Sequence, residues 1–423
     1  MKIVIDNSGY GLDNIGDLAM LQAAVERLCE LWPRATIHVI SAEKSKLASC
    51  VPRAEFFSQS SKKAWLSGYN LIGGLRHFFP KKIQLSLLNY ECYIKTRHPN
   101  LALKIISWRF GAESSNYLAS KSVMDLIKES DIVIATGGGY VNDSFSDHAS
   151  KLLDVILLAQ YYNRPTIMLG QGLGPLSNKN LVKKFKCVLN GLKLISLREG
   201  EFSPKLLNSL MSSQGKPSVF VSGDDAVEMS YRLRTESLGN KLGLNIRNAS
   251  YATLPSGTIE KLGDVIQGYI HKKKTSYQLL PISLVPGDES DIRSLISLMR
   301  LSSQQDNETE EGLSVEDIIQ RVSECRVVIT GSYHAALFAL SQGIQVIGLT
   351  ASNYYDYKFM GLLKQFEVGV QILYLDDGID KLSEYLDVAW SRADGQRSKL
   401  LERAKQQVCA GKDAYLQLKT FVK

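Results

Sequence analysis

Short apolar runs rich in β-branched residues alternate with amphipathic stretches along most of the chain. In the first half these runs occupy residues 2–6, 36–41, 131–136, 165–170, 193–198 and 218–222. Apolar runs bounded by Gly, Asp or Pro are typical of parallel strands buried on both faces. The stretches at 17–31, 147–162 and 178–189 repeat apolar residues at the helical period. This alternation predicts a doubly wound α/β domain.

The pattern stops at a polar segment, residues 232–241, and then starts again. Further strands are predicted at 242–246, 277–282, 326–330, 345–349 and 371–375. A helix is predicted at 314–325, because Ser314 and Asp317 have the spacing of a capping box. The acidic segment 304–311 is predicted to be a solvated loop or helix edge, and the residues after Asp380 to form long polar-faced helices.

The two halves together predict two Rossmann-like doubly wound α/β domains in a GT-B-like arrangement, with a cleft between them. We place an N-terminal domain at 1–232, a C-terminal domain at 241–395 and a C-terminal helix at 396–423. Ligands of such sheets bind beyond the carboxyl ends of the strands. We therefore expect the chemistry in the loops that follow the strands of both halves.

Composition narrows the class of protein further. Of the 423 residues, 44% are hydrophobic and 22% are charged, which excludes disorder, collagen and an integral membrane protein. No signal peptide is expected, since the first residues lack an apolar core and a cleavage site. The six cysteines lie far apart without metal spacing, and we predict reduced, mostly buried thiols in a cytoplasmic protein. Neither a metal nor a cofactor is predicted.

The loop after the first predicted strand contains Asn14, Gly16 and Asp17. Asp17 stands where a helix begins. It is therefore either an ordinary N-cap, which aspartate favours, or a carboxylate that orients a sugar hydroxyl in the cleft.

Two neighbouring strands each end in a glycine-rich loop, and together these loops predict a concave floor. Their backbone N–H groups can meet an anion or a sugar. The candidate residues are Gly137, Gly138, Gly139, Asn142, Gln171 and Gly172. Neither loop has the spacing of a dinucleotide or P-loop motif. The alternative is that the glycines only permit a sharp turn and close packing.

Positive charge follows one strand in each half. Arg198 and Arg247 stand at equivalent strand ends, from which they can clamp one dianion between the halves. His334 opens an apolar helix after Ser332 and Tyr333, and a helix N-terminus lowers the pKa of a histidine. His334 is therefore either a structural residue or an acid/base group.

These motifs resemble the polysaccharide pyruvyl transferase family, in the family's order and over about residues 3–350. Each motif is weak alone, but six in sequence are specific. They are Asn14-x-Gly16-Asp17, 137–139, Gln171-Gly172-x-Gly174-Pro175, Arg198 with Ser203, Gly223-Asp224-Asp225, and the strand and helix around His334. We interpret Asp224 and Asp225 as a turn and a cap rather than a metal site.

The resemblance implies a GT-B-like fold and transfer of the enolpyruvyl unit of phosphoenolpyruvate, the co-substrate, to a sugar as a pyruvate ketal. It implies donor-site roles for Arg198 and His334, beside which we place Arg247, Ser332 and Tyr333. We assign His334 the acid/base role and Asp17 the orientation of the acceptor.

The chain departs from the family pattern at Ser332. Typical members have an arginine two residues before the histidine, and a serine supplies no cation for phosphate. Either Arg247 or a lysine such as Lys358 compensates, or this branch uses another donor.

The net charge of +7 is concentrated in one segment. Residues 53–109 contain ten Lys or Arg against two acids, a local net of +8, together with nine aromatic residues. The segment is predicted to be part of an insertion in the first domain, at about 53–115. Nucleic-acid binding is disfavoured, because no nucleic-acid-binding pattern accompanies the charge. Contact with an anionic inner membrane and a solvated helical subdomain with buried aromatics are the alternatives. The two alternatives are compatible if the acceptor is carried on a lipid, because the subdomain would then contact the membrane surface.

The sequence therefore predicts a cytoplasmic, peripherally membrane-associated transferase of surface-polysaccharide assembly, acting on a sugar or a lipid-linked oligosaccharide. Two rival functions stay open. One is a glycosyltransferase of the same fold that uses a nucleotide-activated sugar, which the departure at Ser332 keeps open. The other is a non-catalytic sugar-binding homologue.

Overall fold

The computed structural model of the chain describes residues 1–422 apart from 69, 74–77, 212–215, 248–256, 286–289, 301–311 and 352. It contains two parallel β-sheets with helices packed on them, which confirms the predicted α/β class with two Rossmann-like halves. The acidic segment 304–311 and the insertion residues Tyr69 and Arg76 lie outside the described residues.

The N-terminal sheet has eight strands, which are β1 (Lys2–Asp6), β2 (Thr36–Ser41), β3 (Glu55–Ser58), β4 (Ile132–Ala135), β5 (Gly138–Val141), β6 (Thr166–Leu173), β7 (Leu194–Leu197) and β8 (Ser218–Val221). Their order is β3-β2-β1-β4-β6-β7-β8, with β5 paired to β6. All the pairs are parallel. Among the described residues of this half, ten helices accompany the sheet, which are α1 (Ile15–Leu31), α2 (Lys44–Cys50), α3 (Gln59–Leu66), α4 (Lys81–Arg97), α5 (Pro99–Phe110), α6 (Ser115–Glu129), α7 (Ser146–Tyr161), α8 (Lys179–Leu189), α9 (Phe202–Leu210) and α10 (Ala226–Arg232).

The C-terminal sheet has five parallel strands, which are β9 (Lys241–Asn245), β10 (Tyr277–Leu279), β11 (Cys325–Thr330), β12 (Gln345–Thr350) and β13 (Val370–Tyr374). Their order is β10-β9-β11-β12-β13. The accompanying helices are α11 (Thr258–Lys273), α12 (Asp291–Met299), α13 (Val315–Ser323), α14 (Tyr333–Ser341), α15 (Asn353–Phe366) and α16 (Leu382–Leu416). Short 3-10 turns occupy Leu375–Asp377, Ile379–Lys381 and Gln417–Thr420.

The predicted elements agree with this structure at most positions. Strands β1 and β2 have the predicted bounds, and the capping box of Ser314 and Asp317 opens α13 as expected. Strand β6 runs on to Leu173, beyond its predicted end, because the second glycine loop continues in extended conformation and pairs with β5. Strand β5 itself was not predicted, since the glycine-rich composition of its first residues indicates a loop.

The segment predicted as an insertion, at about 53–115, includes a strand of the N-terminal sheet. Strand β3 pairs in register with β2, from His38 opposite Glu55 to Ser41 opposite Ser58, and so belongs to the sheet. The rest of the segment 53–115 contains helices α3, α4 and α5. The prediction merged strand and insertion because the basic, aromatic composition starts within β3.

The two halves pack on one another through a shared hydrophobic core. One cluster combines Ile5 of β1 and Leu21 of α1 with Ile319 of α13 and Phe338 of α14. The C-terminal helix also joins the halves. The predicted boundary between residues 395 and 396 falls inside α16, which is a continuous helix of 35 residues.

A buried polar cluster fixes the end of α16 to the N-terminal half. The guanidinium of Arg27 donates to Asp225 Oδ1 at 2.6 Å, and the hydroxyl of Tyr415 donates to Asp225 Oδ2 at 2.8 Å. The same guanidinium lies over the Tyr415 ring, 5.0 Å from its centroid. Because a buried carboxylate without partners is costly, this cluster holds α16, α1 and α10 in register.

Two general predictions can be compared with the described residues. Only Cys29 and Cys325 of the six free cysteines are buried, so the prediction of mostly buried thiols is wrong. None of the described helices is both long enough and apolar enough to span a bilayer.

Candidate active site between the two sheets

The candidate site lies where the strand order of each sheet reverses. In the N-terminal sheet the loops after β1 and β4 diverge at this point, and in the C-terminal sheet the loops after β9 and β11 do so. Such switch points leave a crevice at the carboxyl ends of parallel strands. The crevices of the two halves face each other, and most of the predicted site residues lie there.

Asn14 joins the two halves and caps α1. Its side-chain oxygen accepts from the N–H groups of Gly16 and Asp17, at 3.0 and 3.2 Å. Its backbone forms an antiparallel bridge with Ser283 of the C-terminal half. Asn14 is therefore the N-cap of α1, and the interpretation of Asp17 as the cap is wrong.

The Asp17 carboxylate is consequently available for the cleft. It lies against Gly9, where an added Cβ would be 3.0 Å from Asp17 Oδ2. Burial raises the pKa of Asp17, while the charges of Arg198 and Lys358 oppose that shift. These effects place the acid within the electrostatic reach of both cations, in keeping with the predicted cleft position.

His334 occupies the second position of α14 and is buried in the cleft. A Cβ added to Gly16 would come within 2.0 Å of His334 Nδ1, so the glycine makes room for the ring. Its Nε2 lies 3.9 Å from Asp224 Oδ2 and has no hydrogen-bond partner among the described residues. Burial and the charges of Arg198 and Lys358 hold the pKa of His334 well below its usual value. The imidazole is thus neutral at neutral pH and can accept a proton.

Arg198 is a buried cation that the N-terminal half contributes to the cleft. Its guanidinium is 3.3 Å from Asp224 Oδ2 and lies over the Tyr333 ring, 4.8 Å from the centroid. Its Nε donates to the carbonyl of Gly170 at 3.3 Å. These contacts hold the planar guanidinium at the strand end, between the second glycine loop and α14. The predicted grouping of Arg198, Tyr333 and His334 is present.

Lys358 brings a second cation to the same cavity from α15 of the C-terminal half. The cavity is lined by both cations and by glycine-loop, aromatic and polar side chains, including Gly139, Gly172, Glu199, Tyr333, Tyr357 and Gln365. The Lys358 ammonium lies 5.9 Å from the centroid of the Tyr333 ring. Burial and the charge of Arg198 lower the pKa of Lys358 to about 7, although Asp17 opposes the shift. A bound anion would relieve this like-charge repulsion.

Arg247 and Ser332 lie next to this cavity rather than in it. The Arg247 guanidinium is 3.1 Å from the buried Asp291, and Arg247 is not among the described residues that line the cavity. Ser332 is the N-cap residue of α14, and its backbone N–H donates to Thr330 Oγ1 at 2.8 Å. Of the two cations that the sequence offered in place of the missing family arginine, only Lys358 lines the cavity.

The close packing of the two glycine loops shapes the wall of the cavity. A Cβ on Gly137 would lie 3.2 Å from the carbonyl oxygen of Gly170, and one on Gly172 would lie 3.2 Å from Arg198 Cδ. Gly138 is enclosed by Tyr140 and Ser8 in the same way. The two loops therefore pack against each other and against Arg198, and Gly139 and Gly172 reach the cavity.

The structure places Asn142 and Gln171 at the ends of the two glycine loops. Both side chains are buried, and neither belongs to the described lining of the cavity. The Gln171 amide donates to the carbonyls of Thr136 and Leu169, and the Asn142 amide donates to the carbonyl of Gly139. Their amides hold the ends of the loops together, because a buried amide needs hydrogen-bond partners.

The sequence analysis missed two carboxylates of the site. Asp224 Oδ1 accepts from the N–H of Ala226 in the turn before α10, whose N-cap residue is Asp225, and Asp224 Oδ2 faces Arg198 and His334. Glu199 accepts from three N–H groups of the first turn of α9, at 2.5 to 2.8 Å, and lines the cavity. The strand-end position of Gly223-Asp224-Asp225 was a usable signal for the first carboxylate. Among the described residues no group of His, Cys, Asp and Glu side chains is arranged to hold a metal ion.

The comparison with family models shows to which protein family this chain belongs. A model described as polysaccharide pyruvyl transferase matches residues 14–353, or 340 of the 423 residues. The chain belongs to the polysaccharide pyruvyl transferase family. The match begins at the α1 cap and extends past the Arg198, Asp224 and His334 positions of this family member. No curated protein matches the chain significantly.

Solved structures with the same architecture confirm the GT-B-like fold. One is a putative UDP-N-acetylglucosamine 2-epimerase from Listeria monocytogenes, with 11% identity and a TM-score of 0.56 over 99% of this chain and 96% of that one. Another is a UDP-GlcNAc 2-epimerase from Neisseria meningitidis, with 11% identity and a TM-score of 0.54 over 99% of both chains. A UDP-glucose:anthocyanidin 3-O-glucosyltransferase has 9% identity and a TM-score of 0.52 over 99% of this chain and 98% of that one. At such identities the similarity shows the fold alone.

Proposed function

We propose that this family member transfers the pyruvyl unit of phosphoenolpyruvate to a sugar, as a cyclic ketal, in polysaccharide assembly. One observation carries the proposal. Arg198 and Lys358, from opposite halves of the molecule, line a single cavity, and the neutral imidazole of His334 lies beside Arg198 and their shared neighbour Tyr333.

The charges of the cavity suit a small molecule with two anionic groups. Phosphoenolpyruvate carries a carboxylate and a phosphate on adjacent atoms. The Arg198 guanidinium offers a planar fork for one oxyanion, and the Lys358 ammonium offers a point charge for the other. The two cations are close enough to lower the pKa of Lys358, so a dianion would stabilise them both.

The reaction needs proton transfers that the site can supply. Addition of a proton to the methylene carbon of the donor produces a methyl group and positive charge at C2. A first sugar hydroxyl forms a bond to C2 and loses its proton. The C2–O bond to phosphate then breaks, and a second hydroxyl bonds to C2 and loses its proton to close the ring. The two hydroxyl protons thus end on the methyl group and the released phosphate. We assign His334 the role of accepting and returning protons in turn, because its ring is neutral and a bound dianion would offset the charges of Arg198 and Lys358 that oppose its protonation.

The acceptor side is assigned to the N-terminal half. Asp17 belongs to the loop and helix that follow β1, and Asn14 rather than Asp17 caps that helix. A carboxylate there can accept a hydrogen bond from a sugar hydroxyl and hold it toward C2. We assign Asp17 this orienting role, with a sugar or a lipid-linked oligosaccharide as the acceptor.

Ligand-dependent thermal unfolding tests the donor. Stabilisation by phosphoenolpyruvate, greater than that by pyruvate or inorganic phosphate alone, is expected, since a ligand of the folded state raises the midpoint. Release of phosphate from phosphoenolpyruvate should depend on an added glycoside. His334→Ala should abolish that release and leave the thermal shift nearly intact, whereas His271→Ala, at an exposed position of α11, should retain the release. Undiminished turnover by His334→Ala would overturn the assignment of the histidine.

A nucleotide-sugar transferase is the second candidate, because Ser332 stands where relatives have an arginine and because similarly folded proteins are named for the UDP-sugars on which they act. The same experiment separates the two. Stabilisation by UDP or UDP-sugars without stabilisation by phosphoenolpyruvate would favour the second candidate and overturn the first.

A further inference from the structure

Helix α4 of the insertion has charged residues inside and aromatic residues outside. Glu91 and Lys95 are buried and form an ion pair of 2.8 Å. Both also bond to backbone atoms, with the Lys95 ammonium donating to the carbonyl of Ser67 at 2.6 Å. On the opposite side Tyr90 and Tyr93 are 60% and 55% exposed, and their rings stack at 6.3 Å. This is the reverse of an ordinary surface helix.

Helix α5 shows the same kind of surface. Ala102 and Ile106 are buried against the body of the insertion, while Leu101, Lys104 and Trp108 follow at helical spacing on the exposed side. Trp108 is 87% exposed. Before α4, Phe78 is 83% exposed and is followed by Phe79. We call the exposed residues of α4, of α5 and of Phe78–Phe79 before α4 the outer face. Its apolar members are Phe78, Phe79, Ile83, Tyr90, Tyr93, Leu101 and Trp108.

The outer face is also strongly basic. Lys81, Lys82, Arg97 and Lys104 are all exposed on α4 and α5. Within the described part of the chain, none of these four residues forms an ion pair with an acid. The two acids of the segment 53–109 do not neutralise them, because Glu91 is buried with Lys95 and Glu55 faces His38 on the sheet.

We propose that the outer face docks on an anionic lipid bilayer. Tryptophan and tyrosine rings favour the depth of the lipid headgroups, where one side is apolar and the other is wet. Each basic residue near an anionic membrane increases the affinity about fivefold. A bilayer therefore accounts for both the exposed rings and the excess charge. A second copy of this chain does not, since it would oppose one +8 segment with another.

A buried contact couples the insertion to the candidate site. Lys62 of α3 reaches the carboxyl end of β1, where its ammonium is 2.5 Å from Asp6 Oδ2 and from the Tyr10 hydroxyl. Tyr10 belongs to the loop that leads to α1 and Asp17. Docking would hold this loop at a fixed height above the bilayer. This step rests on the proposed function, because it matters only for an acceptor carried on a lipid.

Vesicle sedimentation in the absence of donor and acceptor tests the docking itself. Vesicles of phosphatidylcholine with about a third phosphatidylglycerol should bind the protein at least about tenfold more tightly than pure phosphatidylcholine vesicles, and about 0.5 M salt should remove this difference. The fluorescence of Trp108 should shift to shorter wavelength on binding, a shift that Trp108→Phe loses.

Three double variants separate charge from apolar contact. Lys81→Glu with Lys82→Glu should reduce binding by at least about tenfold, whereas Lys183→Glu with Lys186→Glu, at exposed positions of α8, makes the same charge change and should reduce it far less. Phe78→Ser with Trp108→Ser should weaken binding without altering the thermal midpoint by more than about 2 °C, as both side chains are exposed.

Several outcomes would overturn the proposal. Equal binding to neutral and anionic vesicles, or equal effects of the two lysine pairs, would exclude docking by this face. Concentration-dependent dimers that Trp108→Ser dissolves, with no vesicle binding, would assign the face to self-association, and tight salt-dependent binding to a DNA or RNA oligonucleotide alone would assign it to nucleic acid. Phosphate release with a water-soluble glycoside is measured separately, so failure of docking and failure of the proposed function are distinguishable.

Discussion

Gly16 and His334, which come from opposite halves of the molecule, are in direct contact. A Cβ on residue 16 would lie 2.0 Å from both Cγ and Nδ1 of the imidazole and 2.6 Å from its Cβ. Because the histidine Cβ is close as well, a side-chain rotation alone cannot make room. The missing side chain of Gly16 therefore determines where the proposed acid/base group can stand.

Gly16→Ala should displace the imidazole and reduce kcat by about a hundredfold or more, since a shift of about 1 Å at a reacting group has an effect of that size. The overpacking should cost about 1–3 kcal/mol of unfolding free energy. Steady-state kinetics and denaturant unfolding measure the two effects. Gly268→Ala is the matched control, because a Cβ there meets no atom within 4 Å. An unchanged kcat in Gly16→Ala would show that the position of His334 does not limit the reaction.

Asp224 and Asp225 are neighbours in sequence, but substitution of Asp225 should lower the stability whereas substitution of Asp224 should lower kcat. Asp225→Asn removes the charge that pairs with buried Arg27, so a loss of about 3–5 kcal/mol in unfolding free energy is expected, with kcat of the remaining folded protein little changed. Asp224→Asn leaves that cluster intact but removes the partner of Arg198, and should lower kcat at least about tenfold. Chemical denaturation and kinetics on both variants measure this. The reverse pattern would contradict the site as described.

Donor affinity should weaken as the pH rises above 7. The Lys358 pKa of about 7 means that the ammonium of the free protein loses its proton there, while the phosphate of the donor is fully ionised. The dissociation constant for phosphoenolpyruvate should therefore rise, approaching about tenfold per pH unit between pH 7 and about 9. Lys358→Arg keeps its charge and should flatten this dependence. Titration by calorimetry measures it, and an equally steep profile in Lys358→Arg would assign the dependence to another group.

Lys358 should also destabilise the protein where it is charged. Its folded pKa lies below the unfolded value of 10.5, so the unfolded chain binds more protons between these values and stability rises with pH there. The burial penalty is fully present below pH 7 and is progressively relieved above it. Lys358→Met should thus raise the thermal midpoint more at about pH 6 than at about pH 9, while weakening donor binding. A larger gain at the higher pH would contradict the burial of a charged lysine.

An arginine at position 332 should partly replace Lys358. Position 332 adjoins Tyr333, whose ring lies 5.9 Å from the Lys358 ammonium. In Lys358→Met, donor affinity is expected to fall at least about tenfold, because a cation to the phosphate is lost. Adding Ser332→Arg to that variant should recover part of it, whereas Ser332→Arg in the native chain adds a third cation and should not improve affinity. Absence of any recovery would show that the lysine does not stand in for the family arginine.

Sequence periodicity was sufficient for the sheets and for most of the site, because strands buried on both faces are continuously apolar and their carboxyl ends converge. It placed Arg198 and His334 at the carboxyl ends of strands for that reason, and the structure brings these two side chains close to Asp224. The sequence offers Lys358 only as a substitute for the missing family arginine, because it reaches the cavity from the middle of α15, where no strand-end pattern marks it. Gln171 and Asn142 could not be placed from the sequence, since a polar residue in a glycine loop bonds either a ligand or a backbone carbonyl, and only tertiary packing decides between them.

The orientation of α4 was likewise beyond the sequence. One of the two alternatives for the insertion was a helical subdomain with buried aromatic residues, but Glu91 and Lys95 bond to each other and to the backbone, and so they can occupy the interior instead. Pairwise compensation of this kind depends on neighbours such as Ser67 and Asn70, more than twenty residues away. Periodicity within the helix does not contain that information.

The backbone bridge between Asn14 and Ser283 limits how the molecule can open. The N–H of Ile15 donates to the carbonyl of Ile282 at 2.9 Å, and the N–H of Leu284 donates to the carbonyl of Asp13 at 2.7 Å. Asp17 and His334 lie close to these two hydrogen bonds, and separating the halves there would expose four backbone groups at once. Rotation of the halves about this edge would keep the bonds intact and would move Arg198 away from Lys358. The donor should then enter and leave without separation of Asp17 from His334.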